Sequence, residues 1–378
     1  MINPEKFFNL LRDNGIDFFT GVPDSLLKDI CAYITDNVTK ENNVIAANEG
    51  GAIALGAGYH LATGKLPLIY MQNSGIGNAI NPLLSLVDTK VYSIPMLLMI
   101  GWRGEPGVKD EPQHIKQGEV TLKLLETMDI PYIEIPDDFS SAKVVIEKYI
   151  KLANSIKGPI AFVIRKNTFE TYKLQNVVET NFDMTREDAI EIIVDSLNRD
   201  DIVVSTTGKT SRELFEYREK LDQGHENDFL TVGSMGHASQ IALGISLQKP
   251  NSQVYCFDGD GSIIMHTGSL GIIGNLKPKN LKHIVFNNGA HDSVGGQPTI
   301  GFRVDFVKIA KAFQYKGFQK VTTKNELVTG FTQFKQLVGP CFLEVCINKG
   351  SRNDLGRPTS TPIENKIGLM EILTKSKI

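Results

Sequence analysis

"YCFDGDGSIIMHTGSL", residues 255–270, places Asp258 and Asp260 between glycines where an apolar run ends. Carboxylates at the end of a buried strand are costly to desolvate unless a cation meets them. The glycines carry no side chain, so a ligand can approach the backbone closely. The same run also forms ordinary turns, so it indicates a binding site only together with a second feature at a suitable distance.

That second feature is the pair Asn287-Asn288, which ends the next apolar run, 28 residues after Asp260. The intervening segment 262–286 predicts one helix, a proline-containing turn and one strand, which form a crossover between parallel strands. We therefore expect Asp260 and Asn288 at the same edge of a sheet, where α/β proteins bind ligands. A carboxylate, an amide oxygen and a loop carbonyl are ligands that suit Mg²⁺.

Other apolar runs alternate with helix-length segments along the chain. The runs lack polar alternation, which is typical of strands covered on both faces of a parallel sheet. They are PLIYMQ (67–72), PMLLMIG (95–101), IAFVIR (160–165), DIVVSTTG (201–208), QVYCFDG (253–259), KHIVFNN (282–288) and CFLEVCI (341–347). This pattern predicts an α/β protein, with a polar linker at 167–183. IALG occurs at 53–56 and again at 241–244, which is consistent with two similar domains.

Composition excludes several classes of function. The chain has 378 residues, enough for two domains, and a net charge of −3 without a long basic run, so nucleic acid and membrane are not expected partners. The N-terminus lacks the pattern of a signal peptide, and no apolar stretch reaches spanning length, so we expect a cytoplasmic protein. The four cysteines show no CxxC spacing, which argues against a zinc or disulfide framework.

Two stretches are similar to nucleotide-binding motifs without completing them. TTGKTS (206–211) contains the Gly-Lys-Thr of a phosphate-binding P-loop, but Val203 stands where that motif needs glycine. LGAGYHLATG (55–64) and SGIGNAINP (74–82) do not complete GxGxxG, so a nicotinamide-binding site is poorly supported.

GDGS followed by NN at this spacing resembles the cofactor motif of the thiamine-dependent 2-oxo-acid decarboxylase superfamily. The resemblance implies two similar three-layer domains with parallel sheets and no central third domain: a pyrimidine-binding domain at 1–175 and a diphosphate-binding domain at 176–378. It implies that Asp260, Asn288 and the carbonyl of Ala290 bind Mg²⁺.

Further stretches resemble other parts of the same cofactor site. NVIAANEGGAIALGAGYHLATGK (43–65) resembles the glutamate motif, which implies that Glu49 hydrogen-bonds the aminopyrimidine ring of thiamine diphosphate and promotes loss of the thiazolium proton. In isolation, Glu49 is a favourable charge at a helix N-terminus. Met235, in VGSMGHAS (232–239), is either the wedge that bends the cofactor or an ordinary core residue. The implied cofactor contacts are Glu49, Thr207, Gly208, Gly233, Ser234, Met235, Gly259, Gly261 and Ser262.

The two-domain order resembles those superfamily members whose 2-oxo-acid substrate carries a second anionic group. FFTGVPDSLLKDIC (18–31), GWRGEPGVKDEPQH (101–114) and NNGAHDSVGGQPT (287–299) carry this resemblance. Such a substrate needs cationic or N–H-rich walls. The implied substrate contacts are Asp24, Ser25, Arg103, His114 and His291.

Alternatives remain open for these residues and for the activity. The alternative for Arg103 is an ion pair with Glu105 or Asp110, and the alternative for Ser25 is a helix N-cap. The superfamily also contains acetolactate-type carboligases, and a cofactor-binding protein without catalysis is a further alternative. The resemblance implies a homo-oligomer with active sites between subunits.

Overall fold

The computed structural model describes residues 1–177 and 179–375, and the chain divides into two compact units. The first unit comprises Met1–Val177 together with His291–Gln297. The second comprises Val178–Ala290 and Pro298–Ile378. No sequence pattern predicted that residues 291–297 group with the first unit.

The first unit is a six-stranded parallel sheet between two layers of helices. Its strands are β1 (Phe18–Gly21), β2 (Asn43–Ile45), β3 (Pro67–Gln72), β4 (Met96–Gly101), β5 (Tyr132–Glu134) and β6 (Pro159–Ile164). Its helices are α1 (Pro4–Asp13), α2 (Lys28–Asn37), α3 (Glu49–Thr63), α4 (Ile76–Pro82), α5 (Pro112–Thr127) and α6 (Phe139–Ile156). Leu68 and Tyr70 of β3 join one apolar cluster, and Ile69 and Met71 join the other, so the strand is covered on both faces.

The second unit repeats this architecture. Its strands are β7 (Ile202–Ser205), β8 (Asp228–Leu230), β9 (Val254–Gly259), β10 (Leu281–Asn287), β11 (Gly317–Val321) and β12 (Cys341–Cys346). Its helices are α7 (Arg186–Ser196), α8 (Lys209–Lys220), α9 (Ala238–Gln248), α10 (Asp260–Met265), α11 (Gly268–Leu276), α12 (Phe306–Ala312), α13 (Lys324–Gln336) and α14 (Pro362–Lys375). Tyr255 and Phe257 of β9 face one apolar cluster, and Cys256 faces the other.

The two sheets have the same topology. The first has the order β2-β1-β3-β4-β6-β5, and the second, read from its β8 edge, has the order β8-β7-β9-β10-β12-β11. The repeated IALG lies in α3 and α9, the helices that follow the second strand of each unit. The predicted fold class, two similar three-layer domains with parallel sheets, is confirmed.

Two local predictions need correction. The segment between Asp260 and β10 forms two helices instead of one, because His266 leaves the helical region of backbone conformation with φ −135° and ψ 48°. Part of the expected linker packs onto the first unit, since Phe169 is 5% exposed and forms a bridge with Ile2.

None of the described helices is long and apolar enough to cross a membrane.

A buried ion pair between Arg218 of α8 and Asp228 of β8 supports the second unit. Arg218 Nε donates to Asp228 Oδ2 at 3.0 Å, and Asp228 is fully buried. Asp228→Ala leaves the arginine charge unpaired, so we expect a loss of about 3–5 kcal/mol in the free energy of unfolding. Denaturant unfolding measures this. The control is Lys220→Met. Lys220 lies on α8 like Arg218, and its substitution removes only an exposed ion pair with Glu191 of α7, so it should change stability little. Equal losses of unfolding free energy in the two variants would contradict a special role of the Arg218–Asp228 pair in stability.

Candidate active site

Three loops of the second unit meet at Ser262. Its Oγ accepts hydrogen bonds from Gly236 N at 3.1 Å and from Thr206 Oγ1 at 3.2 Å. Because β8, β7 and β9 are neighbours in the sheet, the segments after these parallel strands lie at one edge. The segments near 207, 233 and 260, which were predicted to contact the cofactor, are therefore brought together within this unit.

The glycines of these loops adopt conformations that side chains disfavour. Gly208 has φ 100° and precedes α8, and Gly233 has φ 65°. Thr207 Oγ1 accepts from Gly233 N at 3.0 Å, which ties the two loops to each other. Ser234 also has positive φ, at 46°, and Met235 is half-buried, so part of its side chain remains accessible.

Asp260 is buried where β9 passes into α10, at 3% exposure. Its Oδ2 accepts a hydrogen bond from Thr299 Oγ1. Burial raises the pKa of Asp260 to about 6, although Thr299 and the backbone N–H groups of Gly261 and Asn288 favour the ionised form. Asp260 has no cationic partner among the described residues, so its negative charge is uncompensated.

The Asn287-Asn288 pair lies beside Asp260 at the end of β10. Asn288 is 3% exposed, and its Oδ1 accepts from Ala290 N at 3.1 Å. Glycine is required at 301, because a Cβ there would lie 2.5 Å from both Asp260 Oδ2 and Asn287 Oδ1. The backbone at Gly301 therefore packs against Asp260 Oδ2 and Asn287 Oδ1, which lie close to the same point.

Glu344 of β12 holds the first asparagine of this pair. It is fully buried, and its Oε1 accepts from Asn287 Nδ2 at 2.8 Å and from Lys320 Nζ at 3.0 Å. Asn287 Nδ2 also donates to Gly301 O at 2.9 Å. These contacts fix the amide orientation of Asn287 and with it the start of the 288–290 loop.

In the first unit, Glu49 is buried as the first residue of α3. It is 5% exposed, and its Oε2 accepts from Asn78 Nδ2 at 2.7 Å. The adjacent Asn48 caps the helix by accepting from Gly51 N at 2.8 Å. A Cβ at Gly75 would lie 2.5 Å from Glu49 Oε1, so glycine there lets the backbone approach the carboxyl group.

Asp24 is fully buried at the turn after β1. Its Oδ2 accepts from Leu26 N at 2.9 Å, and its Oδ1 is buried without a hydrogen-bond partner among the described residues. Burial raises the pKa of Asp24, against the lowering effects of the Leu26 N–H and of Arg103. A Cβ at Gly101 would lie 2.1 Å from Asp24 Oδ2, so this strand end also needs glycine.

Arg103 is held by Asp110 and Ser25. Its Nε donates to Asp110 Oδ2 at 2.8 Å, its Nη2 donates to Asp110 Oδ1, and its Nη1 donates to Ser25 Oγ at 2.7 Å. Arg103 therefore forms an ion pair with Asp110, and its contact with the substrate stays a prediction. Ser25 does not cap a helix, because α2 begins after Leu27. His114 Nδ1 lies 2.9 Å from Asp110 Oδ1.

Burial alone would raise the pKa of Asp110, but hydrogen bonds from Arg103 and His114 hold it well below its ordinary value. Burial lowers the pKa of His114, opposed by Asp110. Asp110 therefore stays ionised and orients both of its neighbours. His291 lies far from this network in the sequence. Its backbone N–H donates to Gln297 O at 2.8 Å, which closes the 291–297 loop. Burial lowers the pKa of His291 to about 4.

Two family models match the chain, one in each unit. Residues 4–125 match the N-terminal TPP binding domain of thiamine pyrophosphate enzymes, and residues 206–345 match the C-terminal TPP binding domain. The chain belongs to the thiamine pyrophosphate enzymes.

Several curated thiamine pyrophosphate enzymes are similar over nearly the whole chain. Phosphonopyruvate decarboxylase of Streptomyces viridochromogenes is 34% identical over 366 residues, 93% of this chain and 89% of the relative. The enzyme of the same name from Streptomyces hygroscopicus is 33% identical over 380 residues, 96% and 92% of the two chains. Sulfopyruvate decarboxylase of Methanosarcina acetivorans is 30% identical over 383 residues, 95% of each chain.

The residues around Asp260 fit the divalent cation that thiamine pyrophosphate enzymes commonly use. The Asp260 carboxylate, the Asn288 amide oxygen and the Ala290 carbonyl would offer a cation hard ligands of the kind that Mg²⁺ prefers. The raised pKa of Asp260 reflects a buried negative charge without a counter-charge, and a cation at this place supplies one.

Sequence reasoning missed the supporting residues of the thiamine pyrophosphate enzyme site. Thr299, Glu344 and Asn78 contact Asp260, Asn287 and Glu49 respectively. Glu344 had one available signal, since it is an acidic residue inside the otherwise apolar run CFLEVCI. Thr299 and Asn78 lie in segments where glycine, polar and apolar residues are mixed, so neither interrupts a continuous apolar run and neither carries such a signal.

Proposed function

We propose that this protein decarboxylates 3-phosphonopyruvate to phosphonoacetaldehyde and CO₂, using thiamine diphosphate and Mg²⁺. The observation that carries the proposal is the similarity, over more than nine-tenths of the chain, to two enzymes named phosphonopyruvate decarboxylase. The buried Glu49 argues against a cofactor-binding protein without catalysis, because binding the diphosphate through Asp260 and Mg²⁺ does not require a second buried carboxyl group in the first unit.

Thiamine diphosphate, when bound, supplies a nucleophilic carbon for the keto group and an electron sink for the electrons that CO₂ leaves behind. The second unit's role is to hold it. Asp260, Asn288 and the carbonyl of Ala290 hold Mg²⁺, while backbone N–H groups of Gly261 and Ser262 meet the diphosphate. The remaining contacts in this unit are Thr207, Gly208, Gly233, Ser234, Met235 and Gly259.

The first unit supplies the acid and base groups. Glu49 would hydrogen-bond the aminopyrimidine ring of the bound cofactor through its carboxyl group and would control the proton of the reacting carbon. The overall reaction takes up one proton, which replaces CO₂ on the keto carbon. Burial raises the pKa of Asp24, whose Oδ1 has no hydrogen-bond partner among the described residues, so this carboxyl group is the candidate donor of that proton. Ser25, Arg103, His114 and His291 border the substrate.

A homo-oligomer with active sites between subunits is part of this proposal. The helix α3, which begins with Glu49, carries exposed apolar side chains, with Leu55 at 41% and Leu61 at 73% exposure. A second subunit could cover exposed apolar side chains such as these. A cytoplasmic location stays a prediction from the sequence.

The proposal is tested with purified protein, thiamine diphosphate and Mg²⁺. We expect release of CO₂ from phosphonopyruvate in amounts equal to the phosphonoacetaldehyde formed, measured by a coupled assay and ³¹P NMR. Absence of turnover while calorimetry shows bound cofactor would refute it. NMR of the products also detects carboligation, the acetolactate-type alternative.

Sulfopyruvate is the second candidate substrate, favoured by the 30% identity to the Methanosarcina acetivorans enzyme. Both candidates are 2-oxo acids with a second anionic group, and they differ in the charge of that group. The ratio of kcat/KM for the two acids decides between them.

A further inference from the structure

A small cavity lies in the first unit next to the Asp24–Ser25 turn. Its volume is about 80 Å³, well above the roughly 10–15 Å³ that one water molecule requires. Leu26, Trp102, Arg103, Lys109, Asp110 and Lys166 are among the residues that line it. These residues follow strands β1, β4 and β6, so the cavity lies at the carboxyl-end edge of the sheet, where parallel-sheet enzymes bind substrates.

The two acidic residues of the lining already have cationic partners. Asp110 accepts two hydrogen bonds from Arg103 and lies 2.9 Å from His114 Nδ1. Glu105, the other lining acid, pairs with Arg165. Neither carboxylate is therefore free to neutralise a further positive charge of the lining.

Lys109 and Lys166 are the remaining charged residues of the lining. Both are exposed, and neither forms an ion pair with another residue that the structure describes. Two ammonium groups thus border the cavity without a counter-ion from the protein. Such a cavity attracts an anion, and two ammonium groups on one lining favour a doubly charged one.

The rest of the lining suits the other parts of such a ligand. Arg103 is fixed by Asp110 and Ser25, so it forms a rigid polar wall. Trp102 is 7% exposed and donates its indole N–H to Gly118 O at 3.0 Å, which leaves its ring as an apolar wall together with Leu26. A methylene group can pack against these apolar side chains.

We infer that this cavity binds the second anionic group of the substrate, a phosphonate, between the Nζ atoms of Lys109 and Lys166, an assignment that rests on the function proposed above. A phosphonate dianion matches two ammonium groups. A sulfonate carries one charge and leaves one ammonium group without its partner, so the same pair of lysines favours phosphonate over sulfonate. Lys166 follows β6, far along the sequence from the 101–114 segment, and the sequence analysis did not identify it.

The test compares Lys109→Met and Lys166→Met with the wild-type enzyme, all loaded with thiamine diphosphate and Mg²⁺. Each substitution removes one charged hydrogen bond, so we expect KM for phosphonopyruvate to rise about tenfold or more, with kcat changed less than about threefold. KM for pyruvate, which lacks the phosphonate, should not change. Lys151→Met, an exposed lysine of α6 outside the cavity, is the matched control.

A binding measurement separates this assignment from the proposed function. Phosphonoacetate and sulfoacetate serve as unreactive probes in calorimetric titrations of the same four proteins. Wild type should bind phosphonoacetate more tightly, and both cavity variants should lose that preference. If wild type turns over phosphonopyruvate while both cavity variants keep its KM and its preference, the assignment is wrong and the proposed function stands. If wild type shows no turnover but the probes behave as expected, the function fails and the anion site stands.

Discussion

Glu49→Gln should bind thiamine diphosphate with unchanged affinity and lose turnover by about 10²–10⁴-fold. The amide keeps the size and the hydrogen-bonding capacity of the carboxyl group, but it cannot exchange a proton with the aminopyrimidine ring. Glu49 is buried and its Oε2 already accepts from Asn78, so the glutamine side chain finds the same space and the same neighbour. Calorimetry measures the affinity, and single-turnover kinetics measures the loss.

Deuterium exchange at the thiazolium carbon of the bound cofactor measures the proton step directly in Glu49→Gln. If Glu49 controls that proton, exchange slows in the variant in parallel with turnover. Glu119→Gln, an exposed side chain of α5 paired with Lys116, removes an equivalent charge from the same unit and should alter neither rate. Activity near the wild-type level in Glu49→Gln would show that Glu49 does not control the proton of the reacting carbon.

The central strands of both sheets were predictable, and several of the edge strands were not. Strands β3, β4, β9 and β10 are continuous apolar runs because helices cover both of their faces. The edge strand β2 has three half-buried residues, and the edge strand β8 begins with the acidic Asp228. Neither presents an apolar run, and their pairing depends on neighbours distant in sequence.

The candidate site divides in a similar way. Asp260 and Asn288 could be expected at one sheet edge because each ends a strand and one crossover joins the two strands. Thr299 reaches Asp260 only through the fold of the loop after β10, where its N–H bonds to Gly289 O at 2.9 Å. Glu344 reaches Asn287 only because β12 pairs with β10. Such contacts depend on tertiary structure, and although the acidic Glu344 stands out in its apolar run, no local pattern identifies its partner.

Asp260→Ala should weaken Mg²⁺-dependent binding of thiamine diphosphate by about 100-fold or more, since even residues that only support metal ligands typically contribute 10–100-fold. The variant removes the one carboxylate of the proposed donor set and leaves an amide and a carbonyl. Calorimetric titration of thiamine diphosphate at fixed Mg²⁺ measures the change. Asp200→Ala, which removes an exposed acid of the same unit, serves as the matched control.

Thermal unfolding distinguishes loss of a metal ligand from general damage to the fold. Burial raises the pKa of Asp260 to about 6, above its value in the unfolded chain. At pH 7 the ionised carboxylate therefore destabilises the metal-free folded state relative to the unfolded state. Removing this carboxylate should therefore not lower the unfolding midpoint without ligands. With Mg²⁺ and thiamine diphosphate the midpoint of wild type should rise by mass action, and that of Asp260→Ala should not. An equal rise in both proteins would exclude Asp260 as a metal ligand, because a cation held by it cannot stabilise a chain that lacks its carboxylate.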